Sequence, residues 1–246
     1  SEVVADGFGV PAAVKFDSQG RLHVLDTLAG QVLRIDGMGR KKLAQLPPGL
    51  DNFAFDAEDR LFVSSYADGF ISKVTSSGVE EILPGGISHP GALVIHNDTV
   101  VIADIQSVRA IDAATGEDIW TLRNIFQFAP IGTATAVSNH GPDLLLTSWL
   151  DNSVKVLNPT SGEITLSLTG LNIPVSAVKF GDQYAVTLHG DNTLSLFNDD
   201  GSLVSVLSDD FGAPTHVITE DDRLLVSDRV RGEIVSIDEA GKKTVL

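Results

Sequence analysis

The sequence contains no cysteine, which excludes disulfides, thiolate nucleophiles and cysteine-based metal sites. Aromatic residues make up 6% of it, with two Trp and two Tyr, so strands must be built mainly from Val, Leu and Ile. Basic residues are scarce: 17 Lys and Arg stand against 33 Asp and Glu, a formal net charge of −16. With no basic stripe to neutralise phosphates, nucleic acid is not an expected partner. No run of about 18 apolar residues is present, so no membrane-spanning helix is expected. No segment holds a 3.6-residue apolar period, so helix should be essentially absent. The chain opens at Ser1 without a charged-then-apolar leader, the pattern of a mature or trimmed chain. Its compartment stays unassigned. The HExxH, P-loop, GxSxG and strand-to-helix GxGxxG patterns are missing, as are the Trp-Asp signature of WD40 blades and the repeated Gly-Gly of kelch blades.

What the sequence does have is a repeat. Arg21-Leu-His-Val-Leu-Asp-Thr-Leu-Ala-Gly-Gln-Val-Leu-Arg-Ile-Asp36 reads as two short strands joined by a polar turn. The pattern returns at Arg60–Thr75 and at Arg223–Asp238, and in weaker form after Val100, Leu144 and Tyr184. The last residues of the six first strands are Asp26, Ser65, Asp104, Ser148, Leu188 and Asp228. They are spaced by 65−26 = 39, 104−65 = 39, 148−104 = 44, 188−148 = 40 and 228−188 = 40 residues. Six copies at a period of about 40 residues, each with several strands, predict one all-β domain over residues 1–246: a six-bladed β-propeller with four antiparallel strands per blade.

In the first blade the spacing places strands near Ala13–Asp17, Leu22–Asp26, Gln31–Asp36 and Lys41–Leu46. Proline precedes each inner strand, at Pro11, Pro48, Pro90, Pro130, Pro174 and Pro214, where a residue that cannot donate to a ladder is tolerated. The ends are irregular. Glu2–Ala5 resembles an outer strand, yet Lys242–Leu246 already serves that purpose in the last blade. The expectation is that the N-terminus docks beside the last blade and closes the ring, since an open strand edge invites aggregation. The acidic residues, mostly Asp in turns, predict a solvated surface and a soluble monomer, with affinity for cations as the functional alternative.

In an up-down-up-down blade, the loop before the inner strand and the turn between strands two and three share one face. That rim collects Asp51, Asn52, Tyr66, His89, Asp104, Trp149, His189, Asp228 and Arg229, with His216 on an inner strand beside it. Aromatic walls with a few polar groups make a small-molecule site at the channel mouth. Asp51, His189 and His216 are the catalytic candidates. Tyr66, Asp104, Trp149, Asp228 and Arg229 are the substrate-binding candidates, together with Phe126 and Phe128 from the apolar loop Ile125–Ile131 as a possible lid. Each has a structural alternative. Asp104 and Asp228 share the strand-end position of Asp26 and can cap a turn. Trp149 can pack between blades, His189 can belong to a turn, His216 can be a core histidine, and the loop can pack against blades three and four.

These repeats resemble the six-bladed SMP-30/gluconolactonase/strictosidine-synthase-like propellers, with NHL-repeat proteins and streptogramin lyase as neighbours. The stretches that carry the resemblance are Phe16–Asp26 with Gly30–Asp36, and Gly49–Ser65. It implies a small-molecule enzyme for lactone or ester hydrolysis, or a related lyase or cyclisation reaction. It also implies a divalent cation, Ca²⁺ or similar, held by Glu, Asn and Asp from the starts of inner strands. Only Asp51 falls on a matching position and is the one metal-ligand candidate. The corresponding places elsewhere read about Ala12, Gly91, Thr133, Ser176 and Thr215, and Val10-Pro11-Ala12 stands where the family's first-blade glutamate is expected. The alternative is a non-catalytic NHL-like propeller that binds a ligand or protein on one rim.

Overall fold

A computed structural model describes residues 5–36, 39–124 and 131–245. Its 24 strands, β1–β24 in chain order, form six four-stranded antiparallel sheets, each from consecutive strands, and no helix occurs among the described residues. The inner strands are β1 (Pro11–Phe16), β5 (Leu50–Phe55), β9 (Pro90–His96), β13 (Ala136–His140), β17 (Pro174–Phe180) and β21 (Pro214–Glu220). They contact one another in sequence, and β1 contacts β21, so the six blades close into a ring. Among the described residues, no helix is long and apolar enough to cross a membrane.

The second and third strands of blade 1, Leu22–Asp26 and Gln31–Asp36, fall where the alternation places them. Second strands such as Leu22–Asp26 and Leu61–Ser65 are buried throughout, because each blade is sandwiched between two others. Outer strands such as Gly39–Gln45 are mostly exposed. The apolar side chains sort into six clusters, one between each pair of adjacent blades. The first hairpin of blades 1 and 2 is locked in the same way: the Asp17 and Asp56 carboxylates each accept two backbone N–H groups and the Nε–H of Arg21 or Arg60 at 2.5 Å.

Two details differ from the sequence reading. Four of the six inner strands begin at proline rather than after it, and Pro11, Pro90, Pro174 and Pro214 pair with the last residues of the second strands. Just beyond, the ladder slips. Pro11 faces Asp26 and Ala13 faces Leu25, leaving Ala12 as an extra residue. The same slip isolates Asp51 in blade 2, Val175 in blade 5 and Thr215 in blade 6, and the Gly91-Ala92 pair straddles it in blade 3. These are β-bulges, which bend a strand and re-aim a side chain.

Ring closure combines both termini. Ala5 bridges Ile234 and accepts its N–H at 3.2 Å, and the Phe8 N–H donates to Gly232 O at 3.3 Å. The last strand, Lys243–Val245, pairs with Val235–Ile237 on the same third strand, Glu233–Asp238. The outer edge of blade 6 is therefore shared between the N-terminal segment and the C-terminal strand. Phe8 completes the closing cluster with Val14, Val24, Leu225 and Ile234.

Candidate functional site

The bulges decide what faces the channel. A cavity of about 510 Å³ opens where the inner strands begin, and Ala12, Asp51, Thr135, Val175 and Thr215 all line it. The pairing registers correct the sequence alignment of the blades: Thr135 and Val175, not Thr133 and Ser176, are the counterparts of Asp51. Thr133 instead donates its N–H and hydroxyl to the Asp151 carboxylate, each at 2.6 Å. Ser176 is buried, with its hydroxyl against the Val217 N–H. The signal that sequence reading lacked is the extra residue, which shifts the inward-facing phase by one.

Asp51, Tyr66, Trp149, His189, His216 and Arg229 come together around this cavity. Trp149 and Tyr66 are each a little over one-third exposed, as befits rings that form a wall rather than a core. Tyr66 leans on His89 with ring centroids 4.8 Å apart. The Trp149 N–H donates to the Thr135 hydroxyl oxygen at 3.3 Å, and that hydroxyl donates to Thr147 O at 3.0 Å. His189 and Arg229 lie exposed at the lip. Phe126 and Phe128 fall outside the described residues.

Asp104 and Asp228 do not line the cavity. Both are buried at strand ends, with carboxylates turned into their own loops. Asp228 accepts N–H groups from Gly212, Ala213, Val230 and Arg231 at 2.6–3.1 Å. Asp104 accepts those of Ser88, His89 and Gln106 at 3.3–3.4 Å, and Asp26 does the same for Gly9, Val10 and Ala29. A short carboxylate can satisfy several turn amides at once. Where serine replaces aspartate, Ser65 and Ser148 accept the N–H of Asp68 and Asp151, three residues on. These residues fix the loops that carry the rim.

Deeper in the channel, electrostatics separate three groups. Burial pushes the Asp51 carboxyl up to about 6, against the pull of the Arg229 and Lys15 charges. Burial brings the Lys15 ammonium down to about 7, with Asp51 opposing. Lys15 makes no ion pair with Asp51; its Nζ donates to Leu93 O at 2.7 Å. Burial, aided by Lys15, lowers His216 to about 3, so its ring is neutral at physiological pH. Its Nδ1 accepts the Val14 N–H at 3.4 Å, so the ring proton sits on Nε2. Lys15 is the residue that sequence reading missed; its place mid-strand in β1 signalled nothing about the axis.

The cation site implied by the resemblance is not matched by this donor set. Asp51 has cations, not carboxylates, as its charged neighbours. Asn52 is buried, and its Oδ1 accepts the Phe53 N–H at 2.9 Å. Among the described residues, no three His, Asp or Glu side chains gather closely enough to hold a metal ion. A hard divalent cation needs several oxygen ligands, and they are not assembled here.

No protein-family model matches the chain, and no curated protein matches it. Solved structures do. Selenomethionine-substituted virginiamycin B lyase from Staphylococcus aureus superposes with a TM-score of 0.73 at 13% identity, over 96% of this chain and 83% of that one. The likeness is one of fold. A catalytically inactive form of that lyase with quinupristin gives 0.73 at 13% identity, over 99% and 86% of the two chains. A streptogramin B lyase gives 0.73 at 12%, over 96% and 82%.

Proposed function

We propose that this propeller is a small-molecule enzyme that opens a lactone or ester at the upper channel mouth, with Asp51 as general base. The observation that carries this is the placement of Asp51, delivered by a bulge into an aromatic-walled cavity beside Arg229 and His216. A carboxylate that titrates near neutrality can take a proton from water and return it within one cycle. Water adds to the carbonyl carbon as its proton passes to Asp51. The negative charge that develops on the carbonyl oxygen is met by N–H donors from the neutral His216 ring and the Arg229 guanidinium. Collapse breaks the C–O bond, and the departing alkoxide takes the proton from Asp51. Tyr66 and Trp149 bury the apolar body of the substrate, and His189 orients it at the lip. That lyases share the fold is consistent with an enzyme at this mouth.

The test is turnover of a panel of alkyl and aryl lactones and esters. Wild type should hydrolyse at least one, with kcat/KM rising through about pH 6 as Asp51 loses its proton. Asp51→Asn should lower kcat by about 10²- to 10⁴-fold, and His189→Ala should raise KM more than it lowers kcat. If no compound is turned over while saturable binding at this mouth persists, the propeller is a binding module instead.

A further inference from the structure

The channel has a second mouth. Where the inner strands end, on the opposite face, lies a cavity of about 650 Å³. Phe16, Phe55, Val94, Val137, Val178 and Ile218 give it apolar walls. Its ionisable lining residues are Lys15, His140, Lys179 and His216, with no Asp or Glu among the described ones. In a chain that carries 33 acidic residues against 17 basic, a cavity free of carboxylates is a departure from the rest of the surface. Lys179 already has company: its Nζ lies 3.3 Å from Asp199 and 4.1 Å from the centre of the Tyr184 ring. Lys15 does not. It sits at the inner end and, among the described residues, forms no ion pair and has only the Leu93 carbonyl as hydrogen-bond partner. His216 lines both cavities and forms the partition between them.

We propose that this lower cavity binds a small organic carboxylate with an apolar body, its carboxylate on the Lys15 ammonium and its chain or ring along Phe16, Phe55, Val137 and Ile218. A buried ammonium without a contacting counter-ion is costly to keep charged. An anion arriving with hydrocarbon attached satisfies the charge and covers the walls in one step. The volume falls in the range of small-ligand sites, about 300–1,000 Å³. Burial holds the Lys15 ammonium down to about 7 although the Asp51 charge opposes it, in keeping with a cation whose direct hydrogen-bond partner is a carbonyl and not a carboxylate. This site stands apart from the reading of the upper mouth, because Asp51 does not line it and Lys15 does not line the upper one.

Calorimetric titration with octanoate, and with octan-1-ol as its neutral counterpart, tests the proposal on the full chain. Octanoate should bind with a Kd of about 1 mM or tighter, and octan-1-ol at least about tenfold more weakly. Lys15→Met should erase that preference, and Val137→Trp, which fills the cavity from another blade, should abolish uptake of both. Arg229→Gln, at the upper lip, should leave octanoate affinity unchanged. The proposal is overturned by any of three results: no saturable uptake by wild type, full octanoate affinity in a folded Lys15→Met or Val137→Trp variant, or loss of binding in Arg229→Gln. Hydrolysis assays on the same variants are read separately, so failure of one site does not disguise failure of the other.

Discussion

Asp51 shows how a single desolvated carboxyl, placed where the proposed chemistry needs it, costs the fold stability. Its carboxyl titrates at about 6 in the folded chain, above the ordinary value of 3.8. Between those two values the folded state binds more protons than the unfolded one, so stability falls as pH rises. The contribution of the protonated carboxyl is fully present below about pH 4 and is lost as pH climbs through 6. Asp51→Asn should therefore raise the melting temperature at pH 8 by several degrees, an effect on the order of 2 kcal/mol. The gain should vanish at pH 4. Thermal scans of both proteins at the two pH values check the sign. The buried Asp228 presents the opposite case, since its carboxylate holds four backbone N–H groups. Asp228→Ala should cost about 2–4 kcal/mol by leaving loop amides unsatisfied, measured by urea unfolding, without touching the cavity wall.

At the scale of the strand, the bulges explain both what sequence reading captured and where it slipped. The second and third strands were legible to the residue in blade 1, because Leu22–Asp26 and Gln31–Asp36 are bounded by turn residues and lack an irregularity. The inner strands were not. In five blades an irregularity near the start of the inner strand shifts the inward phase, and in blade 4 the strand starts later, at Ala136, so Thr135 and Val175 escaped notice while Thr133 and Ser176 were named. Asp51 was named because Gly49–Ser65 is one of the stretches that carry the family resemblance. Asp104 and Asp228 looked like site residues because strand-end aspartates can either cap or catalyse, and only the positions of the amides decide. Gly91 marks the tightest bulge: a Cβ there would lie 2.3 Å from the Thr135 carbonyl oxygen and 3.7 Å from Asp51 Oδ2. Gly91→Ala should force β9 and β13 apart at about 1–3 kcal/mol. Because the displacement occurs beside Asp51, it should also reduce any turnover at this mouth, which steady-state kinetics on the folded variant would show.

For the molecule as a whole, closure is the element on which stability turns. Five blade interfaces follow from chain order, but the sixth joins residues more than 200 positions apart, as in the Val14 N–H to His216 Nδ1 bond. Phe8 seals that interface: it is 6% exposed, packs in the closing cluster and lies under the Arg40 guanidinium at 4.2 Å. Phe8→Ala should cost about 3–5 kcal/mol. With the ring loosened at one seam, the single unfolding transition of wild type should broaden or split, as differential scanning calorimetry would reveal. The repeat period revealed the ring, and the N-terminal resemblance to an outer strand revealed where it shuts. That both termini meet at the last blade was legible too, and the Ala5–Ile234 bridge falls within the expected pairing region; the exact partner residue was not, because it depends on pairing rather than on pattern.

The bulge residues have a consequence for how such a molecule changes over generations. Ala12, Asp51, Gly91, Thr135, Val175 and Thr215 come from six different blades, and those at the ladder slips stand outside the regular strand pairing. None of the six belongs to the buried apolar clusters between blades except by the marginal contact of Ala12. Apart from Gly91, where a Cβ would lie 2.3 Å from the Thr135 carbonyl oxygen, each can therefore be exchanged as a separate letter in a short word written around the axis, leaving the grammar of the fold intact. Asp51 is the only acidic letter in the present spelling. A second acid at Ala12 or Thr215 would set two carboxylates at one mouth, and a different chemistry would come within reach by a single codon.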